Sequence, residues 1–241
     1  MIKIQKLILF IFFNLIVCSN VFSAKKKEIP FYLNLELSTK YMWRGIEYGN
    51  APTFFPLIGY QYKGFNAFAM GAYATNGSHQ EVDLGVSYSY KGYTVGLSDY
   101  YFPSAVGEKD CYFNFNKKTT GHSIEAYFTA MPFKIPLWLT LSTYVFGNDK
   151  RENGKQAYSS YIEIGYNHYL NTQNILGITC GGNLNKSFYT NYEDGFSIVN
   201  ITLKYTHNLK IKDFTLPVSG SYIINPYKEK SYFTFSAYLN L

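Results

Sequence analysis

The feature that most constrains this chain is an alternation of apolar and polar side chains that recurs along most of its length. The final segment shows it clearly, because Phe233 and Phe235 share one parity while Thr234 and Ser236 share the other. Alternation with a period of two is typical of a strand with one apolar face. No window after Lys27 shows a convincing helical period. The sequence therefore predicts an all-β fold.

About twelve such strands follow one another along the chain. They are predicted near 31–45, 53–63, 65–75, 81–90, 93–102, 122–130, 137–147, 157–169, 174–183, 196–207, 215–225 and 231–241. Most lengths approach the 9–11 residues that a tilted strand needs to cross a bilayer. The connections alternate between short turns and longer polar loops, the latter at 103–121, 148–156 and 184–195. This pattern predicts a closed antiparallel transmembrane β-barrel with both termini on the periplasmic side.

The composition favours a membrane barrel over a soluble β-sandwich, which would also alternate. Aromatic residues make up 20% of the chain and charged residues only 16%, against about 25% charged residues in soluble domains. The mean hydropathy of −0.14 excludes a bundle of transmembrane helices. Aromatic pairs near strand ends, such as Tyr41 with Trp43 and Tyr100 with Tyr101, predict interfacial girdles. Glycines within the strands favour the bending that closure requires.

The first 23 residues have the layout of a secretory signal peptide, with a basic start, an apolar run and small residues before Ala24. We therefore expect 1–23 to be cleaved and 24–241 to form one outer-membrane β-barrel domain. Cleavage before Cys18, which would give a lipoprotein, is the alternative, although Val17 stands where a small residue is usual.

Several classes of function lack support in the sequence. The net charge is +6, or +4 without Lys3 and Lys6 of the leader, and no dense basic patch predicts a nucleic-acid partner. No phosphate-binding loop or metal-ligand spacing appears, so we expect no cofactor. His122 and Ser123 are the best candidates for the catalytic residues of a hydrolase. Adjacent residues of a strand point to opposite faces, however, so we expect no enzyme. The last two cysteines, Cys111 and Cys180, permit one disulfide or two thiols.

One segment resembles a known family. Residues 38–46 read Ser-Thr-Lys-Tyr-Met-Trp-Arg-Gly-Ile, followed by Tyr-Gln-Tyr-Lys-Gly-Phe at 60–65 and Gly-Ala-Tyr-Ala at 71–74. This is similar to the opening strands of the TorF family of porins, and the similarity continues through 81–84 and 100–103. It covers the first third of the chain specifically. The resemblance implies an outer-membrane barrel with a pore function, although Leu241 stands where barrels of this kind commonly end in Phe.

If one parity of each strand faces lipid, the other faces the lumen of the barrel. The charged residues placed there are Glu36, Lys40, Arg44, Glu81, Asp83, Glu125, Glu163 and Lys204. Mixed charges of this kind either line a water-filled path and tune its ion selectivity or pair with one another as a structural network. Arg44 followed by Gly45 is open to two interpretations, a substrate contact or a bend whose Arg binds an interior carboxylate.

Asp99 does not fit the alternation, because it shares the parity of Val95 and Leu97, which should face lipid. A charge on that face is costly. Either a bulge shifts the register before Asp99, or the residue already lies at the outer rim of the barrel.

The pattern as a whole predicts a porin-like channel for passive diffusion of small polar solutes or ions. Its expected partners are outer-membrane lipid and those solutes, and the sequence leaves the oligomeric state open. The alternative is a structural or adhesive barrel that binds a partner through its outer loops. The loop 103–121 is of interest because Tyr112, Phe113 and Phe115 lie in a polar context. Those rings either bind a partner or fold back to plug the barrel.

Overall fold

A computed structural model describes residues 30–103, 111–131 and 134–240. The predicted signal peptide lies outside these residues. Twelve of the fourteen strands form the barrel: β1 (Phe31–Ser38), β4 (Thr53–Tyr62), β5 (Phe65–Ala74), β6 (Gln80–Tyr90), β7 (Tyr93–Tyr101), β8 (His122–Ala130), β9 (Leu137–Gly147), β10 (Ser160–Tyr169), β11 (Asn174–Asn183), β12 (Ser197–Ile211), β13 (Phe214–Asn225) and β14 (Lys230–Asn240). The other two, β2 (Tyr41–Trp43) and β3 (Ile46–Gly49), form a separate hairpin. Within the described ranges, no helix is long and apolar enough to span a membrane.

The barrel is closed, as predicted. Each strand pairs antiparallel with its neighbours in chain order, and β1 pairs with both β4 and β14. Leu35 lies opposite Leu239 of the last strand, while Ser38 lies opposite Thr53 of β4. Closure leaves no unpaired sheet edge, which is the condition for a β-structure to exist in hydrocarbon.

The two ends of the barrel differ in the length of their connections. The connections after β4, β6, β8, β10 and β12 are short and define the turn end. Those after β1, β5, β7, β9, β11 and β13 define the loop end, where the long segments lie. In outer-membrane barrels the short turns are periplasmic and the long loops are extracellular.

The outward face of the barrel is apolar along the middle of the strands. Its exposed side chains include Leu84, Val86, Val95, Leu97, Leu141, Ile164, Ile178 and Leu203. Aromatic residues follow at the turn end, among them Tyr62, Tyr88, Tyr90, Tyr93 and Tyr166. Burying so much apolar surface requires lipid rather than water around the ring. An apolar band flanked by aromatic residues on a closed barrel places the protein in the bacterial outer membrane.

The first strand is shorter than predicted, which is a correction to the range 31–45. β1 ends at Ser38, and the chain then leaves the wall to form the β2–β3 hairpin. The polar–apolar alternation continues to Arg44 because β2 is itself a strand, but of a different sheet. Tyr41 and Trp43 consequently do not belong to an interfacial girdle, and Tyr100 also points inward, where its hydroxyl donates to Glu125.

Glycines in the strands make space for large rings inside the barrel. A Cβ at each of these positions would lie within 2.5 Å of a neighbouring ring: Gly59 beside Tyr32, Gly85 beside Phe68, Gly96 beside Tyr127 and Gly165 beside Trp138. In each pair the ring comes from the residue opposite on the adjacent strand. The glycines therefore serve interior packing as well as the curvature expected from the sequence.

Candidate functional site

The β2–β3 hairpin folds inward, and its turn is formed by Arg44 and Gly45. Both residues have left-handed backbones, with φ of +49° and +76°. A Cβ at Gly45 would lie 2.0 Å from the carbonyl oxygen of Val199 on the wall. The amide of Asn225 donates to the carbonyl of Gly45 at 3.1 Å. Only glycine, which has no Cβ and tolerates positive φ, allows the turn to contact the wall so closely.

Arg44 is the centre of the polar contacts. Its guanidinium donates two hydrogen bonds to Glu125 of β8, at 2.6 and 3.0 Å, and a third to the hydroxyl of Tyr189 at 2.6 Å. The guanidinium carbon also lies 4.2 Å from the ring centre of Trp43 and 4.5 Å from that of Tyr161. A bidentate carboxylate and two aromatic faces are the partners that a guanidinium fits best. Arg44 therefore attaches the hairpin to the wall.

The environment of Arg44 keeps it charged. Burial alone lowers the pKa of the guanidinium, but the neighbouring Tyr189 and Glu125 outweigh burial and raise that pKa well above its ordinary value. Burial likewise raises the pKa of the Tyr189 hydroxyl above its ordinary value. At neutral pH the tyrosine is therefore protonated, and the arginine carries its full charge against Glu125.

A second segment enters the lumen from the loop after β11. It is a short 3₁₀ turn, Phe188–Thr190. The ring of Phe188 stacks on that of Tyr189 at 4.1 Å and on that of Trp43 at 6.5 Å. Tyr189 is fully buried and also stacks on Tyr161 of β10 at 5.1 Å. The hairpin, residues 39–49, and this turn, 188–190, together fill the loop-end half of the lumen, and we call them the plug.

Two cavities lie on opposite sides of the plug and share no lining residue. The inner cavity has a volume of about 460 Å³ and extends from the hairpin to the middle of the wall. Its polar wall residues include Glu36, Ser38, Thr179, Thr202, Lys204, Ser221, Thr234, Ser236 and Tyr238. The outer cavity, about 230 Å³, is lined by Tyr48, Phe102, Ser123, Tyr144, Asn148, Asp149, Phe188 and Tyr192. The plug thus separates the two cavities.

The outer cavity has a rigid polar side. Asp149 accepts hydrogen bonds from the backbone N–H and the hydroxyl of Ser159, at 2.8 and 2.6 Å. Burial and the Asp149 carboxylate raise the pKa of Tyr192 to about 12. The Tyr192 hydroxyl therefore remains a protonated donor to Asp149 across the physiological range.

The predicted lumen residues fall into distinct environments. Glu36, Lys40, Arg44, Glu163 and Lys204 line the inner cavity. Lys40 pairs with Glu47 at 2.6 Å, so it is held within the hairpin rather than on the wall strand where it was expected. Lys204 instead donates to the hydroxyl of Tyr238 at 2.9 Å. Among the described residues, Lys204 has no carboxylate within ion-pair distance.

The remaining predicted residues are buried at the wall beside the plug. Glu125 binds Arg44, while Glu81 pairs with His79 at 2.8 Å. Asp83 is buried two residues further along β6, and its Oδ1 has no hydrogen-bond partner in the described part of the chain. Glu163, which lines the inner cavity instead, accepts hydrogen bonds from Tyr161 and Asn200, at 2.6 and 3.0 Å. No group of three potential metal ligands occurs within the described segments.

His122 and Ser123 lie on opposite faces of β8. His122 points outward and contacts Asp99, whereas Ser123 lines the outer cavity. The arrangement of a nucleophile and its base is therefore not formed by these two neighbours.

The plug residues from the loop after β11 were missed by the sequence analysis. Phe188 and Tyr189 follow a lysine and a serine in a polar segment, so no period marks them as interior. For the plug as a whole, the sequence offered one signal, which was Arg44 followed by Gly45. That pair indicated a bend whose arginine could bind an interior carboxylate.

No family model matches the sequence, so membership of the TorF family is not confirmed, and no curated protein matches it either. Among solved structures, the KdgM porin in complex with disordered oligogalacturonate is 10% identical, with a TM-score of 0.48 over 87% of this chain and 96% of that one. An outer-membrane channel from Pseudomonas putida F1 is 10% identical, with a TM-score of 0.44 over 92% and 99%.

A third similar structure is a porin of Rhodopseudomonas blastica in the form of a triple mutant, 9% identical, with a TM-score of 0.41 over 78% of this chain and 55% of that one.

Proposed function

We propose that this protein is an outer-membrane channel of the porin class, for small polar solutes or ions, whose loop-end half is closed by the plug in the described conformation. The observation that carries the proposal is the inner cavity: about 460 Å³ of space lined by hydroxyls and charges inside a barrel whose outer face is apolar. A barrel that served only as a membrane anchor would gain more from a packed interior. Polar side chains facing open space are instead the lining of a hydrated path.

The plug is built in a way that suits a movable element. Its hairpin is an insertion between two wall strands that are already adjacent, since Ser38 lies opposite Thr53. The hairpin is attached by polar contacts at Arg44 and Gly45 and by ring contacts such as that of Tyr41 with Phe55, but it shares no sheet with the wall. Its displacement would therefore leave the pairing of the twelve strands unchanged. The inner and outer cavities would then become continuous.

The second candidate is a permanently plugged barrel that does not conduct. The extent of the aromatic packing favours it, because Trp43, Phe188 and Tyr189 stack on one another and bury the charge of Arg44. Removing one partner of a buried ion pair costs about 3–5 kcal/mol, so the plug is stable unless something replaces its contacts.

The deciding experiment removes the hairpin without altering the wall. Residues 39–52 are replaced by Asn-Gly, which forms the tight turn that two paired antiparallel strands accept. Wild-type and shortened proteins are then refolded and compared in planar bilayers. We expect brief or small openings from the wild type and a steady, larger conductance from the shortened protein.

A heat-dependent shift in gel mobility is the control that both proteins are folded. A shortened protein that is folded but silent at all voltages would contradict the channel proposal, because the barrel would then be closed by more than the hairpin. A wild type that conducts as much as the shortened protein would contradict the role of the plug.

A further inference from the structure

Asp99 and His122 form a polar pair on the outside of the barrel. The ladders of β7 with β6 and with β8 are regular through Asp99, so no bulge turns its side chain inward. Asp99 Oδ2 lies 2.7 Å from Nδ1 of His122, whose side chain is completely buried although it points away from the lumen. The second sequence interpretation of Asp99, a position at the outer rim, is therefore the one observed. Something outside the wall must cover this pair.

The cover is the segment 111–120 of the loop after β7. The backbone carbonyl of Tyr112 lies 2.5 Å from Nε2 of His122, and the ring of Phe115 stacks on the imidazole at 4.2 Å. The ring of Tyr112 also contacts that of Tyr101 edge-on at 5.0 Å. The segment thus folds back over the outer surface of β7 and β8. These aromatic residues do not plug the barrel, which answers one of the two possibilities that the sequence left open.

The segment is ordered by its own polar contacts. Asn114 donates to the carbonyl and the hydroxyl of Thr119, at 2.9 and 3.1 Å. The side chain of Asn116 accepts from the backbone N–H of Lys118 at 2.9 Å. The segment therefore has a defined outer surface rather than a varying one.

That surface combines apolar rings with positive charge. Phe113 is 86% exposed and Phe115 is 50% exposed, although Phe115 already covers His122. Lys117 and Lys118 are both exposed and follow after Asn116. Rings beside lysines at the edge of an apolar band are typical of the membrane interface, where the rings enter the head-group region and lysines meet anionic groups.

The surface lies on the same outward side of the wall as the apolar belt. It covers His122 at the loop end of β7 and β8, whose outward side chains include Leu97 of the belt. The loop end of such a barrel faces the outer leaflet. A partner that touches both the belt and the two lysines must therefore carry acyl chains and negative charge together.

We propose that residues 111–120 form a lipid-docking surface for a phosphorylated glycolipid of the outer leaflet. Phe113 and Phe115 contact its apolar part, and Lys117 and Lys118 bind its phosphate groups. The Asp99–His122 pair holds the segment in place from beneath. This inference depends on the position of the barrel in the membrane and not on whether the barrel conducts.

The test uses the full-length refolded protein and lipid A as the probe. Binding of diphosphorylated lipid A and of its dephosphorylated form is measured by native mass spectrometry from neutral detergent. The double variant Lys117→Gln/Lys118→Gln should weaken binding of the phosphorylated form roughly tenfold, because each lysine near an anionic surface contributes to binding. It should leave the weaker binding of the dephosphorylated form unchanged. Phe113→Ser should weaken both.

The matched control is Arg151→Gln/Lys155→Gln, which removes the same charge from an exposed loop at the same end of the barrel. It should leave binding unchanged. Equal weakening by the two double variants, or none by Lys117→Gln/Lys118→Gln, would overturn the proposal, since attraction would then be unspecific or elsewhere. Full competition by inorganic phosphate would also overturn it, because a lipid-docking surface requires the acyl part. Heat-dependent gel mobility verifies folding of each variant.

Discussion

The two halves of the lumen show opposite ways of treating polar groups within a barrel. In the loop-end half, Arg44 is enclosed by aromatic rings and its charge is matched by Glu125. In the inner cavity, Lys204 faces open space and its only described hydrogen-bond partner is the hydroxyl of Tyr238. A buried charge requires a partner, whereas a hydrated one does not. The plug is thus held by paired charge, whereas the inner cavity keeps a charge that has no carboxylate partner among the described residues.

Gly45→Val tests the close contact of the plug and should have the largest effect. A side chain there meets the carbonyl of Val199 and also requires a positive φ, so the hairpin should not dock. We expect conductance in planar bilayers to rise by about an order of magnitude. Acrylamide quenching of Trp43 fluorescence, in a Trp138→Phe background, should rise with it.

Gly154→Val is the matched control, because Gly154 has a φ of +74° but no atom within 4 Å of the added Cβ. If both glycine variants behave alike, backbone strain alone explains the effect and the contact with the wall does not matter.

Glu125→Gln tests the charge in the plug. The substitution leaves Arg44 without a carboxylate among aromatic rings. The loss destabilises the docked state of the hairpin by about 3–5 kcal/mol. We expect frequent openings in single-channel records, with the open conductance of the shortened protein. Glu152→Gln, at an exposed position, removes the same charge and should leave the records as in the wild type. An unchanged open probability in Glu125→Gln would show that the ion pair does not hold the plug.

Tyr189→Phe tests a single hydrogen bond to Arg44. The substitution keeps the stacked ring but removes the hydroxyl that accepts from the guanidinium at 2.6 Å. A bond of this kind contributes about 1.5–3 kcal/mol, so open probability should rise less than in Glu125→Gln. Tyr158→Phe, on an exposed ring, serves as the control. A larger effect of Tyr189→Phe than of Glu125→Gln would reverse the assigned order of the contacts.

Lys204→Gln tests the inner cavity and should have the smallest effect. It removes a charge that has no carboxylate partner among the described residues, so the plug should stay closed as often as in the wild type. The cation-to-anion permeability ratio of the open state should rise about two- to threefold. Reversal potentials in a salt gradient measure this, with Lys155→Gln as the control. Lys40 and Arg44, which the sequence also placed in the lumen, are both paired with carboxylates.

The barrel could be predicted from the sequence because alternation is a local property. Each wall strand buries or exposes every second side chain, so a run such as Phe233 to Leu239 specifies its own faces. The strand number and the two kinds of connection follow from that pattern. The end of β1 could not be predicted in the same way, since alternation continues into β2 after the chain has left the wall.

The plug depends on contacts between residues far apart in the chain. Arg44 meets Glu125 and Tyr189, which are 81 and 145 residues away, and no local pattern encodes such a pairing. The position of Phe115 outside the wall depends on a contact with His122, which is near in the chain, but alternation does not encode the folding of a loop back onto the wall. Long-range polar contacts become visible only when the ring of strands is closed.

The attachment of the hairpin has a mechanical consequence. One turn contacts β8 through Glu125, the segment after β11 through Tyr189 and the end of β13 through Asn225. These three points lie apart along the circumference of the barrel. The turn therefore cross-links separate parts of the wall. Lateral pressure that flattens the cross-section therefore acts against these contacts as well as against the pairing of the wall strands. The bonds that dock the hairpin thus also brace the rim of the barrel.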